Sequence, residues 1–189
     1  MRTLHDVFAY ADQHGVTLRI DRSEIQVRRP KAGRRGRRAF VSGKRKQNTI
    51  KYIQITGDAG RTIWAGGFRP GRMHDQTAIK TEGIDDLFRL WPQANANVEV
   101  DDGYRGLART HPAQVSVPPK KPGKDATDEE TTAWRDARHA QSSRRICVEY
   151  GIAEMKHWQP LQRYTGRREH LHETITAIGS IASDRALTA

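Results

Sequence analysis

Gly57-Asp58-Ala59-Gly60 separates two runs rich in strand formers, 49–56 with Ile50, Tyr52, Ile53 and Ile55, and 61–66 just beyond it. A glycine-bearing link of that length joins neighbouring strands as a hairpin, so any sheet in this chain is at least partly antiparallel. Upstream, Leu4, Val7, Phe8 and Ala11 recur at helical spacing and Gly15 stands where a C-cap belongs, which predicts a helix over 1–15. Val16, Leu18 and Ile20 then alternate as in a strand before the apolar phase moves to Ile25 and Val27. A break in register is therefore expected between Asp21 and Glu24.

Downstream of the hairpin, Pro70-Gly71 turns the chain and Asp75 is placed to cap a helix running to about Leu90, with Ile79, Leu87 and Leu90 on one side and Trp91-Pro92 as its stop. Residues 97–100 read as a short strand ending in the polar turn Asp101-Asp102-Gly103-Tyr104. The proline-bearing stretch 116–133 reads as a mobile surface insertion. A helix capped by Ser142 or Ser143 buries Val148, Ile152 and Met155 and is ended or kinked by Pro160. A last helix over 169–182 turns Leu171, Ile175, Ile178 and Ile181 inward. The order predicts a single α/β domain over 1–189, a mixed, partly antiparallel sheet flanked by helices.

Charge narrows the partners. Residues 28–46 hold ten cations, Arg34, Arg35, Arg37, Arg38, Lys44, Arg45 and Lys46 among them, and no acid. They account for all but one of the chain's eleven excess positive charges, which predicts a local surface for phosphates. No apolar stretch is long enough to span a bilayer and the first residues lack a signal-peptide core, so a cytoplasmic protein is expected. The single Cys147 excludes an intramolecular disulfide. Gly66-Gly67 and Gly103 lack the strand-glycine-helix setting of a phosphate loop, which argues against a nucleotide cofactor.

Three acids stand where a metal-dependent phosphoryl transferase draws its ligands: Asp21 on the first strand, Asp101 at the end of a later one and Glu149 off the apolar stripe of a helix. Hard divalent cations take oxygen donors, and two of them can clamp the attacking and leaving oxygens at phosphorus. Each acid read singly also fits an ordinary solvated carboxylate, and Asp75 alone fits a helix cap. Glu24 would face away from Asp21 in an unbroken strand.

Taken in order, several blocks resemble the DDE superfamily endonuclease domain of bacterial insertion-sequence transposases related to the PIF/Harbinger group. They are Ile20-Asp21-Arg22-Ser23-Glu24, Ser42-Gly43-Lys44-Arg45-Lys46-Gln47-Asn48, Pro70-Gly71-Arg72-Met73-His74-Asp75, Val100-Asp101-Asp102-Gly103-Tyr104, and Arg145-Ile146-Cys147-Val148-Glu149 leading to Met155-Lys156. The resemblance implies an RNase H-like fold, with Asp21, Asp101 and Glu149 as catalytic, metal-holding residues for Mg²⁺ or Mn²⁺ and His74 and Asp75 in support. Asp101 is preferred to Asp102 because the family's aspartate stands three residues before the tyrosine, here Tyr104. It further implies DNA cleavage and strand transfer, transposon ends and target DNA as partners, backbone contacts from the basic loop and Lys156, and self-association. Arg22 and Ser23 stand where the family carries a small residue and a threonine, which sets a guanidinium beside the first aspartate. Only about twenty residues precede Asp21, so the family's N-terminal DNA-binding region is expected to be missing. Two other readings share the fold: a DNA-binding remnant without metal chemistry, and a nuclease without strand transfer.

Overall fold

The computed structural model describes residues 1–31, 33, 36–91 and 97–188; Arg34 and Arg35 lie outside them. Strand β1 (Leu18–Val27) is the spine of the fold. It pairs antiparallel with β2 (Thr49–Thr56), which pairs antiparallel with β3 (Thr62–Pro70), so the hairpin forms with a longer second strand than expected. On its other edge β1 runs parallel to β4 (Val98–Glu99), and β4 runs parallel to β5 (Val115–Ser116). The order is β3-β2-β1-β4-β5, and a further short strand, β6 (Arg163–Tyr164), pairs with β1.

The expected break in β1 is absent. Pairing runs from Arg19 opposite Thr56 to Gln26 opposite Thr49 without a shift. The change of apolar phase has another cause: both faces of β1 are covered, each over a different part of its length. Leu18 and Ile20 point into one cluster with Phe8, Ile55, Ile79 and Phe88, while Ile25 and Val27 point into a second with Tyr52, Met155, Leu161 and Ile175. A fully buried side chain of this size contributes about 1.5–3 kcal/mol, so two half-strand stripes hold β1 between two layers. Asp21 shares its face with the second cluster. Arg22 and Glu24 share theirs with the first.

The helices depart from expectation in instructive ways. Helix α1 (Leu4–His14) forms with a Thr3 capping box and Gly15 in the left-handed C-cap conformation. The single helix expected from Asp75 splits at Glu82-Gly83 into α2 (Asp75–Thr81) and α3 (Ile84–Leu90), because Gly83 takes φ 72°. Asp75 is the first residue of α2 rather than its cap. A short α4 (Arg105–Thr110) follows the Asp101 turn. Helix α5 (Asp128–Lys156) begins well before Ser142, since Thr127 and Glu130 form a capping box with three acids in the first turn. Pro160 sits in the first turn of α6 (Gln159–Gln162), where a missing N–H costs nothing, and does not end α5. Helix α7 (Leu171–Thr188) buries Leu171, Ile175, Ile178 and Ala182 against β3, leaving Ile181 exposed. Within 116–133, the Pro118 carbonyl accepts from Arg105 and the Pro119 carbonyl from the Trp134 indole. No helix among the described residues is long and apolar enough to cross a membrane.

Candidate active site

β4 and β6 share one edge of β1: β4 takes Leu18 and Arg19, β6 takes Gln26 and Val27. Among the described residues, 20–25 between them have no ladder partner on that edge, and a cleft opens there. The parallel register that sets Glu99 beside Arg19 brings Asp101, two residues on, level with Asp21. Helix α5 crosses above. The resulting cleft, about 300 Å³, is lined by Asp21, Asp101 and Glu149 together with Arg138, Gln141 and Arg145. Four acids from three distant segments, Asp102 among them, thus face one volume.

Each is held differently. Asp21 accepts from the Arg22 backbone N–H at 2.7 Å and meets Arg145 Nη2 at 3.5 Å. Burial lifts its carboxyl above the ordinary aspartate range; Asp101 adds to the rise, and the Arg22 N–H and the Arg145 guanidinium oppose it. Asp101 Oδ1 accepts from Gly103 N–H at 2.9 Å, closing a one-turn 3₁₀ helix (Asp102–Tyr104) anchored by the buried Tyr104 ring. Asp102 lines the same cleft and pairs with Arg105 and Arg138. Glu149 is exposed at the cleft wall beside the buried Val148.

Asp75 comes close from the other face of the sheet. A Cβ at Gly103 would lie 3.0 Å from Asp101 Oδ1 and 3.1 Å from Asp75 Oδ2, so a glycine lets the two carboxylates crowd one point. Asp75 is buried, pairs with Arg22 and lies 3.6 Å from Lys51 Nζ, which also reaches Glu24 and the Met73 carbonyl. The guanidinium of Arg22 is therefore committed to Asp75, on the face of β1 opposite Asp21, and the cation lying against Asp21 is Arg145. His74 is exposed, precedes α2 without capping it and does not line the cleft.

Lys156 and Arg45 belong to the same side. Burial lowers the Lys156 ammonium's pKa, with Arg45 lowering it further and Asp21 opposing. Arg45 Nη1 donates to the Glu24 carbonyl at 3.4 Å. Arg37, Arg38 and Lys46 line grooves at the far end of β1, and Lys44 is exposed in the turn between.

Two features of the site escape a reading by motif. One is the Arg145 contact, which needs α5 placed over β1. The other is how α5 is placed: Gly151 packs on the β2–β3 turn so closely that a Cβ there would lie 2.5 Å from the Gly60 carbonyl, and one at Gly60 would run into the Cys147 backbone. The Gly60 in the hairpin link was the visible half of this crossing. Among the described residues no three His, Cys, Asp or Glu side chains group closely enough to hold one metal ion.

A carboxylate-lined cleft at the open edge of a mixed sheet, with cations gathered beside it, has the outline of an enzyme acting on nucleic-acid phosphodiesters. The chain belongs to the DDE superfamily endonucleases, whose family model matches residues 20–182. It is similar to the probable transposase for insertion sequence element IS702 of Microchaete diplosiphon, 29% identical over 138 residues, 72% of this chain and 45% of that protein. The chain thus matches less than half of that relative's length. No solved structure matches it.

Proposed function

We propose that this chain is the catalytic core of a transposase, an RNase H-like domain that cuts DNA at the end of a mobile element and joins it to a target. The observation that carries the reading is the convergence of Asp21, Asp101 and Glu149 on one cleft. The sheet order, antiparallel through β3-β2-β1 and parallel through β1-β4-β5, supports the RNase H-like assignment. The similarity to a protein named as a probable transposase supports the reaction.

The donor set suits Mg²⁺ or Mn²⁺: all three groups are carboxylates, and the repulsion and burial that raise Asp21 are what a cation between them relieves. Asp21, Asp101 and Glu149 would hold it once a cation drew them together, since they line one cleft but do not by themselves group closely enough to bind one ion. Bound there, a divalent cation supplies an activated water and offsets charge on the phosphorus oxygens. The chain's own groups do the positioning. Arg145, on the cleft wall, carries donors suited to a non-bridging phosphate oxygen. Asp75 is a positioning residue that keeps Arg22 and Lys51 on the far face and abuts the Asp101 turn. In the first step water adds at phosphorus and the bond to the 3′ oxygen breaks; in the second that 3′ hydroxyl attacks a target phosphorus and displaces the target's own 3′ oxygen. Arg45, Lys156 and the basic loop hold the DNA backbone, and self-association on paired ends belongs to the same reading.

Labelled duplex incubated with Mg²⁺ or Mn²⁺ tests this. The wild-type chain cleaves, and Asp101→Asn and Glu149→Gln each lower the rate by about a thousandfold or more. Cleavage without joined products would mark a nuclease of this fold instead; binding without cleavage by the folded wild type would mark a DNA-binding remnant.

A further inference from the structure

The cations that β1 carries past the cleft form a site of their own. Two grooves, about 420 and 470 Å³, share Arg29, Lys46 and Asn48 on their walls and so make one trough at the C-terminal end of β1. Arg28, Arg29, Arg37, Arg38, Lys46 and Arg163 line it, and no acid does. Among the described residues none of the six forms an ion pair; exposed cations such as Lys80 and Arg109 share that, and what sets the six apart is their gathering on one surface lined by no acid. Arg163 arrives from β6, far along the chain, because β6 pairs with Gln26 and Val27.

Two local features mark the trough as built. Lys46 is the one described non-glycine residue with positive φ, at 56°. A lysine in that conformation costs energy that glycine would save, and the turn from Val41 to Asn48 holds it there through Ser42 N–H to Gln47 O and Lys46 N–H to Ser42 O. Asn48 lines both grooves with a side-chain amide whose NH₂ group can donate to a phosphate oxygen. Between trough and cleft stand Arg45, bonded at Glu24, and Lys156. Cations therefore follow β1 from Arg145 at Asp21 to the trough at Val27.

We propose that this trough is a second phosphate-binding site, which grips the backbone of the same DNA whose scissile phosphate enters the cleft. The strand sets the spacing: six residues from Asp21 to Val27 span about 20 Å, which is about six nucleotides of one DNA strand at 3.4 Å each. The inference rests on the transposase-core reading and narrows its basic loop to one trough that Arg163 of β6 completes, set about six nucleotides from the cleft.

The test is fluorescence anisotropy of a labelled duplex of about 30 base pairs with the full chain in EDTA over a range of NaCl. Arg29→Ala/Arg163→Ala is compared with wild type and with Lys80→Ala/Arg109→Ala, a charge-matched pair of exposed residues beside α2 and α4. The trough variant is expected to bind about tenfold more weakly, with a log–log salt dependence shallower by about two, while the control keeps the wild-type slope. Lys46→Gly is expected to weaken binding while melting no lower than wild type, since it removes the charge and the backbone strain together. If wild type binds and the trough variant keeps its slope, or the control loses as much, the trough proposal is overturned and the function reading stands. If the folded wild type binds no DNA, the function reading itself falls, and the trough with it.

Discussion

Asp21 is kept against its own electrostatic preference. Its carboxyl is about a quarter exposed, lies near Asp101, and titrates above the ordinary value of 3.8 even with Arg145 beside it. The folded chain therefore holds that proton more tightly than the unfolded chain does. Below about 3.8 both states are protonated and nothing is lost; as pH rises through the interval up to the raised value, the unfolded chain ionises first and stability falls. Asp21→Asn mimics the protonated form and leaves Arg145 facing a neutral amide. Without divalent cations it is expected to melt above wild type at pH 7, by about 2–4 °C for a gain of about 1 kcal/mol. The gap closes on acidification, and cleavage is lost; calorimetry from pH 3.5 to 7 checks it. At this scale the order of motifs singled out Asp21, Asp101 and Glu149, which converge on one cleft. Spacing could not show that Arg22 turns to Asp75 while Arg145 meets Asp21, because each contact depends on which face of β1 a helix covers.

Placing Glu149 is the work of one helix crossing. Gly151 lets α5 settle on the Gly60 carbonyl and Thr56, and Glu149 lies half a turn away. Gly151→Ala forces a Cβ to 2.5 Å from that carbonyl, so α5 must lift or tilt. The expected cost is about 1–3 kcal/mol in urea unfolding, with cleavage reduced more than tenfold because Glu149 moves with the helix. Wild-type activity in Gly151→Ala would show that α5 has slack. Elements with strong local signals were legible: α1 with its cap, the hairpin, and the apolar stripe of α7. Residues 97–100 read as a strand, and β4 lies within them; β5 and β6 were harder, since two residues each carry no periodicity and are strands only because β4 and β1 pair with them. The start of α5 was misplaced for a different reason. Serines inside a helix look like caps until the stronger capping box upstream is recognised.

Across the molecule the described residues form two apolar clusters, and β1, β2 and β3 each contribute side chains to both. Leu18 and Ile20 are buried with α1, α2 and α3; Ile25 and Val27 are buried with Met155 of α5, with α6 and with α7. The phase change that looked like a defect in the sequence is the seam between these layers, and the cleft opens along it. The chain ends reinforce the closure: the Met1 ammonium donates to Ser183 Oγ at 2.6 Å, and Arg2 pairs with Asp184. Neither cluster can open without uncovering half of β1, so the two should melt together. Trp64 and Trp91 pack against the first cluster and Trp158 against the second, which gives each layer its own reporter. In Trp134→Phe/Trp158→Phe the fluorescence, then from Trp64 and Trp91 alone, is expected to follow the same urea transition as far-UV circular dichroism. Two separated transitions would mean that the layers fold as independent units, and Asp21, on the seam, would then lose the rigid strand that aligns it with Asp101.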